Sequence, residues 1–219
     1  MRELFLFGLM ALFTLSCEKN DPITGIDDPD LPSTPGYFPH TLGSFWVYQH
    51  VVIDPMGTEI VRAETDSVII SRDTLINGKL YYVFEGSNYP FNGGKWGIIE
   101  ILRDSMGYVV NQHGEVKLSN SNFTDTLHVK TEIIQDEILY TASYRMEKQS
   151  LKYSVPAGDF DVINFKGTVN SEKEMEGIPN PRYLNTLYAE GVGNVLKTYF
   201  YFSSPDIFEK RLLRYTIQP

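Results

Sequence analysis

The chain has 219 residues, of which 42% are hydrophobic and 13% aromatic, enough for one globular domain with a core of its own. Its formal net charge of −9 is spread along the whole length, which excludes electrostatic attraction to nucleic-acid phosphates. We therefore predict no nucleic-acid partner. A single cysteine excludes an internal disulfide framework.

The N-terminus has the pattern of a secretory signal. Residues 4–13 are apolar and too few to span a bilayer, which needs about 20 residues, so residues 1–16 are predicted to be a signal peptide. Ser16 followed by Cys17 resembles a bacterial lipobox, which implies cleavage before Cys17 and acylation of that residue. We expect lipid anchoring in the outer membrane, and the polar, acidic residues after Cys17 resemble a signal for display on the cell surface.

The segment that follows Cys17 is rich in Pro, Asp, Gly, Ser and Thr. It shows no apolar periodicity, so residues 17–36 are predicted to form the lipidated cysteine and a flexible acidic tether. The remaining residues, 37–219, are predicted to form a single antiparallel β domain.

Short β-type runs separated by turn residues fill this domain. Asn77-Gly78 lies between two apolar runs and predicts a type I′ hairpin turn. Residues 86–94 and 171–181 read as loops, and helical periodicity is scarce throughout. Strands are predicted at residues 45–53, 59–71, 74–84 (two runs joined by the Asn77-Gly78 turn), 96–103, 108–110, 115–118, 124–131, 137–147, 151–155, 160–169, 183–190, 195–202 and 208–217.

Residues 153–165 are predicted to be a central packing element. Pro156, Gly158 and Asp159 favour a sharp corner between two buried strands, and we expect Phe160 to be fully enclosed there.

Together these runs predict an all-β fold with little helix: an antiparallel, partly open barrel or a strongly bent, wrapped sheet. Some predicted strands are apolar on both faces. In the first one, Trp46 and Tyr48 on one face alternate with Phe45 and Val47 on the other. One face can fill the core, and the other needs a cover: a second sheet, a partner or a ligand inside a concave sheet.

Three motifs of the domain resemble an uncharacterised family of Bacteroidota-type envelope lipoproteins. They are Gly-x-x-Trp-x-Tyr at residues 43–48, Val-Pro-Ala-Gly-x-Phe at residues 155–160 and Gly-Val-Gly-x-Val-x-Lys at residues 191–197. The resemblance implies a partly open barrel or wrapped sheet and brings no established activity with it.

Motifs for catalysis or metal binding are missing from the sequence. The four histidines, His40, His50, His113 and His128, lie in separate segments and are interpreted as structural or surface residues. Gly191-Val192-Gly193 lacks the third glycine of a dinucleotide motif and is interpreted as a bend. We predict no catalytic residues, no metal ligands and no cofactor.

The aromatic residues are the one feature that points to a ligand. Packing in the core is the simpler interpretation, and a surface for a glycan, lipid or protein is the alternative for Trp46, Tyr48, Tyr82, Phe84 and Trp96.

We predict a non-catalytic binding module, with a lipid or lipoprotein carrier as the alternative and a carbohydrate-processing hydrolase third. An enclosed apolar cavity would favour the carrier, an exposed aromatic strip the glycan or protein binder, and a cleft with paired carboxylates the enzyme. The sequence leaves the oligomeric state open.

Overall fold

A computed structural model describes residues 36–219, apart from the side chains of Gln149, Ser150 and Leu151. The predicted signal peptide, Cys17 and the tether up to residue 35 lie outside the described residues. The described part contains twelve strands and one short helix, in the order β1 (Phe45–Ile53), β2 (Glu59–Ile76), β3 (Lys79–Gly86), α1 (Tyr89–Asn92), β4 (Gly97–Ser105), β5 (Tyr108–Asn111), β6 (Val116–Ser119), β7 (His128–Ile134), β8 (Glu137–Val155), β9 (Gly158–Ser171), β10 (Arg182–Ala189), β11 (Gly193–Tyr199) and β12 (Ile207–Thr216).

All the strands belong to one antiparallel sheet. Strands that follow each other in the chain are paired, except β6 and β7, which are the two edges, and β1 pairs with β12. The sheet curls into a nearly closed barrel with one unsealed seam, which lies between β6 and β7. The predicted all-β, partly open barrel is confirmed.

Because the strands are antiparallel, each connection between strands lies at one of the two ends of the barrel. The β3–β4 connection with α1 lies at one end, which we call the α1 end. The β10–β11 turn lies at the other end, which we call the closed end. Residues 36–44 lead into β1 at the closed end.

The predicted hairpin at Asn77-Gly78 is confirmed. Both residues have positive φ, 52° and 72°, as a type I′ turn requires, and Ile76 pairs with Lys79 across it. Asn and Gly tolerate this conformation at the lowest steric cost, so these two residues set the register of β2 and β3.

The predicted corner at residues 156–159 is instead a tight hairpin turn. Strand β8 ends at Val155, β9 begins at Gly158, and these two residues pair, so that only Pro156 and Ala157 form the turn. Phe160 is half-buried, which corrects its predicted full enclosure, because it lies close to the tip of the hairpin.

This hairpin bends over strand β12, which is not its neighbour in the sheet. Between Lys148 and Lys152 the register of β8 on β9 shifts, and such bulges bend a strand. Beyond the bend, the Ala157 N–H donates a 3.0 Å hydrogen bond to the Leu212 carbonyl. A core cluster joins the hairpin residues Val155 and Val162 to Leu187, Leu196 and Leu212, with Tyr153, Phe160 and Tyr215 packed against it. The hairpin therefore supplies part of the second cover that the two-faced apolar strands require.

Strand β7 begins four residues later than the predicted run. The Asn122 side-chain oxygen accepts hydrogen bonds from the backbone N–H groups of Thr124 and Asp125, and this local turn keeps residues 124–126 out of the sheet. The Leu127 N–H then donates a 2.8 Å hydrogen bond to the Tyr144 carbonyl of β8. A second core cluster lies near the seam, where Leu102, Val109 and Leu118 of β4–β6 meet Met146, Ile163 and Phe165 of β8 and β9, together with Phe38.

Candidate functional site

The barrel contains a cavity of about 570 Å³ that is partly open to solvent, and its volume is within the usual range for small-molecule sites. Every strand except β5 contributes at least one residue to its wall. Aromatic side chains dominate the lining: Tyr37, Phe38, Trp46, Tyr48, Phe84, Phe91, Tyr144, Phe165, Tyr188 and Tyr199.

The segment before β1 closes one end of this cavity. The Trp46 indole N–H donates a 2.7 Å hydrogen bond to the Val192 carbonyl, which ties β1 to the β10–β11 turn. Phe38 is buried, with its ring centroid 5.9 Å from that of Phe84. A Cβ at Gly193 would lie 3.2 Å from the Pro39 ring, so a glycine at this position lets the segment approach closely. The predicted bend at residues 191–193 is confirmed, with positive φ at both glycines.

Asp66 is the centre of a buried polar network at the α1 end. One carboxylate oxygen accepts a 2.8 Å hydrogen bond from the Tyr89 backbone N–H, and the other lies 2.6 Å from the Lys210 ammonium. Lys210 also donates a 2.7 Å hydrogen bond to the Asn88 side chain, and His50 Nε2 lies 3.0 Å from Asp66 Oδ2. The network holds the β3–β4 connection against β2 and β12.

The charge of Asp66 is strongly favoured in this network. Burial alone would raise the pKa of its carboxyl group, but His50, Lys210 and the Tyr89 N–H outweigh that effect and hold the pKa well below the ordinary 3.8. Asp66 is therefore an ionised anchor and not a proton donor at neutral pH.

Tyr199 joins this network to the cavity wall. Its hydroxyl lies 3.3 Å from His50 Nδ1, and its ring centroid is 5.7 Å from that of Phe91 in α1. Burial, and in smaller part the charges of Tyr201 and Asp66, raise the pKa of the Tyr199 hydroxyl above its ordinary value. The hydroxyl therefore stays protonated at neutral pH.

Two further tyrosines place hydroxyl groups inside the barrel. Tyr48 donates a 3.0 Å hydrogen bond to the Asn194 carbonyl, and Tyr188 donates one of 3.3 Å to the Lys117 carbonyl. The second bond joins β10 to the edge strand β6 across the interior. Burial, and in smaller part the charge of Glu100, raise the pKa of both hydroxyls.

Charged side chains from β6 and β7 line the cavity beside the seam. Lys117 lies 2.9 Å from Glu115, and Lys130 lies 3.0 Å from Glu132. The ring of His128 is tilted by 33° against that of Tyr144, with ring centroids 5.7 Å apart. Burial lowers the pKa of His128, which Glu115 only partly opposes, so the imidazole is neutral above pH 7.

The structure brings three of the five predicted ligand residues together. Trp46, Tyr48 and Phe84 line the cavity. Tyr82 instead packs between Phe38 and His40, with ring centroids 6.4 Å and 4.9 Å away. Trp96 is 60% exposed just before β4 and is not part of the cavity wall.

Sequence reasoning missed the polar part of the lining. Asp66, Lys197 and Lys210 line the cavity, and so do Tyr144 and Tyr188 from strands far from the N-terminus. A signal was present for Lys197, a charged residue inside the apolar run of β11, but its facing side depends on a pairing register that the sequence does not show.

Comparison with known proteins gives a faint likeness to two crystal structures. No protein-family profile matches the sequence, and no curated protein matches it. A Bacteroides fragilis protein described as exported and with a YmcC-like fold aligns over 83% of this chain and 99% of its own, at 14% identity and a TM-score of 0.46. A Parabacteroides distasonis protein described as a lipoprotein aligns over the same shares, at 14% identity and a TM-score of 0.45.

Residues 36–219 show neither a metal cluster nor a membrane-spanning helix. No group of three His, Cys, Asp or Glu side chains in this range could hold a metal ion. None of its helices is long and apolar enough to cross a membrane.

Proposed function

We propose that this protein is a non-catalytic binding protein of the cell envelope that holds one amphipathic small molecule inside its barrel. The carrier alternative thus takes precedence over a surface-binding module. The observation that carries the proposal is the aromatic cavity of about 570 Å³.

A void of this size needs an explanation, because protein interiors are normally packed as densely as organic crystals. At about 30 Å³ per molecule, the cavity would hold roughly 19 waters against a mainly apolar wall. Replacing that water by an apolar molecule removes aromatic surface from water, which favours binding. The empty volume is therefore better suited to a ligand than to the stability of the barrel alone.

The lining also favours a ligand with two chemically different parts. Trp46, Phe38 and Phe84 form an apolar region at the closed end, whereas Lys197 and Lys210 lie towards the α1 end. An elongated molecule with an apolar body and a polar group matches this division.

The other two candidate functions find less support in the geometry. Of the aromatic residues predicted for a glycan surface, Trp46, Tyr48 and Phe84 line the cavity and Trp96 is exposed outside it, so these residues do not form a surface strip. A glycoside hydrolase needs a carboxyl group with a raised pKa as its general acid, and the pKa values of Asp66 and Glu115 are both lowered, despite burial, by their hydrogen-bond partners.

The proposed location of the protein in the cell envelope depends on Cys17. Acylation at the lipobox-like Ser16-Cys17 would hold the domain at the outer membrane, since several acyl chains give stable anchoring. Cys17→Ala should release the protein from the membrane fraction. Membrane fractionation that is unchanged by the substitution would contradict the anchor.

The binding proposal is tested with N-phenyl-1-naphthylamine, a neutral probe whose fluorescence rises in apolar sites. The full chain with Cys17→Ala should bind it, and Val68→Trp should weaken binding by about 10-fold or more, because Val68 lines the cavity and the added ring would fill it. Val129→Trp is the matched control, since Val129 is exposed on β7.

Ile99→Phe adds less volume to the same wall and provides a second test if Val68→Trp does not fold. Equal probe binding by the original chain and by both folded cavity variants would refute the internal site.

A further inference from the structure

Two lysines lie opposite each other inside the cavity. Lys197 of β11 and Lys210 of β12 are register partners, and both side chains line the cavity wall. Directly opposed residues on one face of a sheet have Cβ atoms about 5 Å apart, and like charges in such pairs destabilise the sheet. This arrangement is therefore unfavourable unless both charges are compensated.

Among residues 36–219, only one of the two charges is compensated by an acidic partner. Lys210 is 2.6 Å from Asp66 and 2.7 Å from the Asn88 side-chain oxygen. For Lys197, no carboxylate oxygen among residues 36–219 lies within 4.0 Å. Its side chain is exposed while lining the cavity, so the cavity is open to solvent beside it.

A hydroxyl group extends this row of donors. Thr186 of β10 is the other register partner of Lys197, and it too lines the cavity. Thr186, Lys197 and Lys210 thus form a row across three neighbouring strands. The aromatic Phe165 precedes this row on β9, as the register partner of Thr186.

The charge of the lining contrasts with that of the whole chain. Four lysines, Lys117, Lys130, Lys197 and Lys210, face three carboxylates, Asp66, Glu100 and Glu115, around the cavity. The protein as a whole carries a net charge of −9. Although acidic residues outnumber basic ones in the chain, more cations than anions line this cavity.

We propose that Lys197, with Thr186 beside it and Lys210 behind it, binds the anionic head group of the amphipathic ligand, a carboxylate or a phosphate. This inference rests on the proposed function and names the ligand class of the same site. The apolar tail would extend from this row towards Trp46 and Phe84 at the closed end. The ammonium group of Lys197 can donate a charge-assisted hydrogen bond, and no carboxylate of residues 36–219 accepts it.

The test compares three ligands with the same twelve-carbon tail: dodecan-1-ol, dodecanoate and dodecyl phosphate. Binding is measured by displacement of N-phenyl-1-naphthylamine from the full chain with Cys17→Ala, at low and at high salt. We expect at least one anionic ligand to bind about 10-fold more tightly than the alcohol, which is the scale of one hydrogen bond to a charged group. High salt should reduce that preference.

Lys197→Gln should remove the preference and leave the affinity for dodecan-1-ol unchanged. The matched control is Lys79→Gln, because Lys79 is exposed beside the Asn77-Gly78 turn and does not line the cavity. The stronger of the two anionic ligands distinguishes a carboxylate site from a phosphate site.

The failures of the two proposals are distinguishable. Equal affinities for all three ligands, or a preference that Lys197→Gln leaves intact, would overturn the anion site and leave the cavity site in place. Absence of binding by all three ligands and by the probe would overturn both.

Discussion

Gly86 offers the sharpest test of the barrel geometry, because a side chain has no room there. A Cβ at Gly86 would lie 2.0 Å from the Ser67 carbonyl oxygen and 2.9 Å from the Val68 Cα, both backbone atoms that cannot rotate away. Gly86→Ala must therefore push β2 and β3 apart where Gly86 pairs with Val68.

The expected cost follows from the contacts that such a shift disturbs. The Ser87 N–H donates a 2.9 Å hydrogen bond to the Ser67 carbonyl, and the Ser67 N–H donates another of 2.9 Å to the Ser87 hydroxyl. Losing these two bonds costs about 2 kcal/mol, and strain from overpacking adds about 2 kcal/mol. Alanine also lowers the conformational entropy of the unfolded chain relative to glycine, which stabilises the folded state by about 0.7 kcal/mol. The free energy of unfolding should fall by about 3 kcal/mol.

Thermal unfolding followed by circular dichroism measures this loss, which should lower the melting temperature by about 6 to 12 °C. Gly97→Ala is the matched control. Gly97 lies on β4 and pairs with Gly86, and a Cβ at Gly97 would meet nothing within 4 Å. If the two alanine variants melt within a degree of each other, β2 and β3 do not approach as the structure has them.

Three further predictions concern single side chains. Phe38→Ala should cost about 3 kcal/mol in chemical denaturation, because the ring is buried at the closed end; a change under 0.5 kcal/mol would show that the segment does not pack there. Phe160→Ala should cost about 2 kcal/mol, less than for an enclosed ring, because Phe160 is half-buried against Tyr215; a loss above 4 kcal/mol would contradict that exposure. Asp66→Asn should cost about 3 kcal/mol at pH 7, because it leaves Lys210 without its buried partner. Because the pKa of Asp66 is lowered, its contribution to the free energy of unfolding is complete above the ordinary pKa of 3.8 and is lost as the pH falls below that value. The original protein and the Asp66→Asn variant should therefore converge in stability in acid. A difference in stability that stays constant down to pH 2 would contradict the lowered pKa.

Much of the fold could be predicted because it depends on local chemistry. Asn77-Gly78 determines its turn by itself, since positive φ at two successive residues suits few other pairs. Alternation and β-branched residues located most strands, although the β8–β9 hairpin shows the limit: its Pro156-Ala157 turn is local, but its bend over β12 depends on a bulge and on contacts with Leu212. The partial exposure of Phe160 follows from its place near the tip of this hairpin, which the local sequence does not show.

The candidate site was harder to predict because its residues meet only after the barrel closes. Trp46, Tyr48 and Phe84 were identified by residue type, and the same criterion added Trp96, which is exposed. The type of a residue does not show on which face of a sheet it lies. Lys197 and Lys210 are 13 positions apart in the chain, and only the register of β11 on β12 makes them partners.

At the α1 end, a helix without buried residues lies beside the buried ion pair of Asp66 and Lys210. Helix α1 has no buried residues, so burial of apolar surface contributes little to its position. It is held by the hydrogen bond from the Tyr89 N–H to Asp66 and by the hydrogen bond from Lys210 to the Asn88 side chain. The Phe91 ring also lies near that of Tyr199. Elements with few buried contacts open at a lower free energy than the core. The ion pair of Asp66 and Lys210 therefore links two properties: it fixes α1 over one end of the cavity, and it sets the charge next to Lys197. A ligand anion bound at Lys197 would lie beside that same ion pair, so ligand binding and the stability of the α1 end should change together.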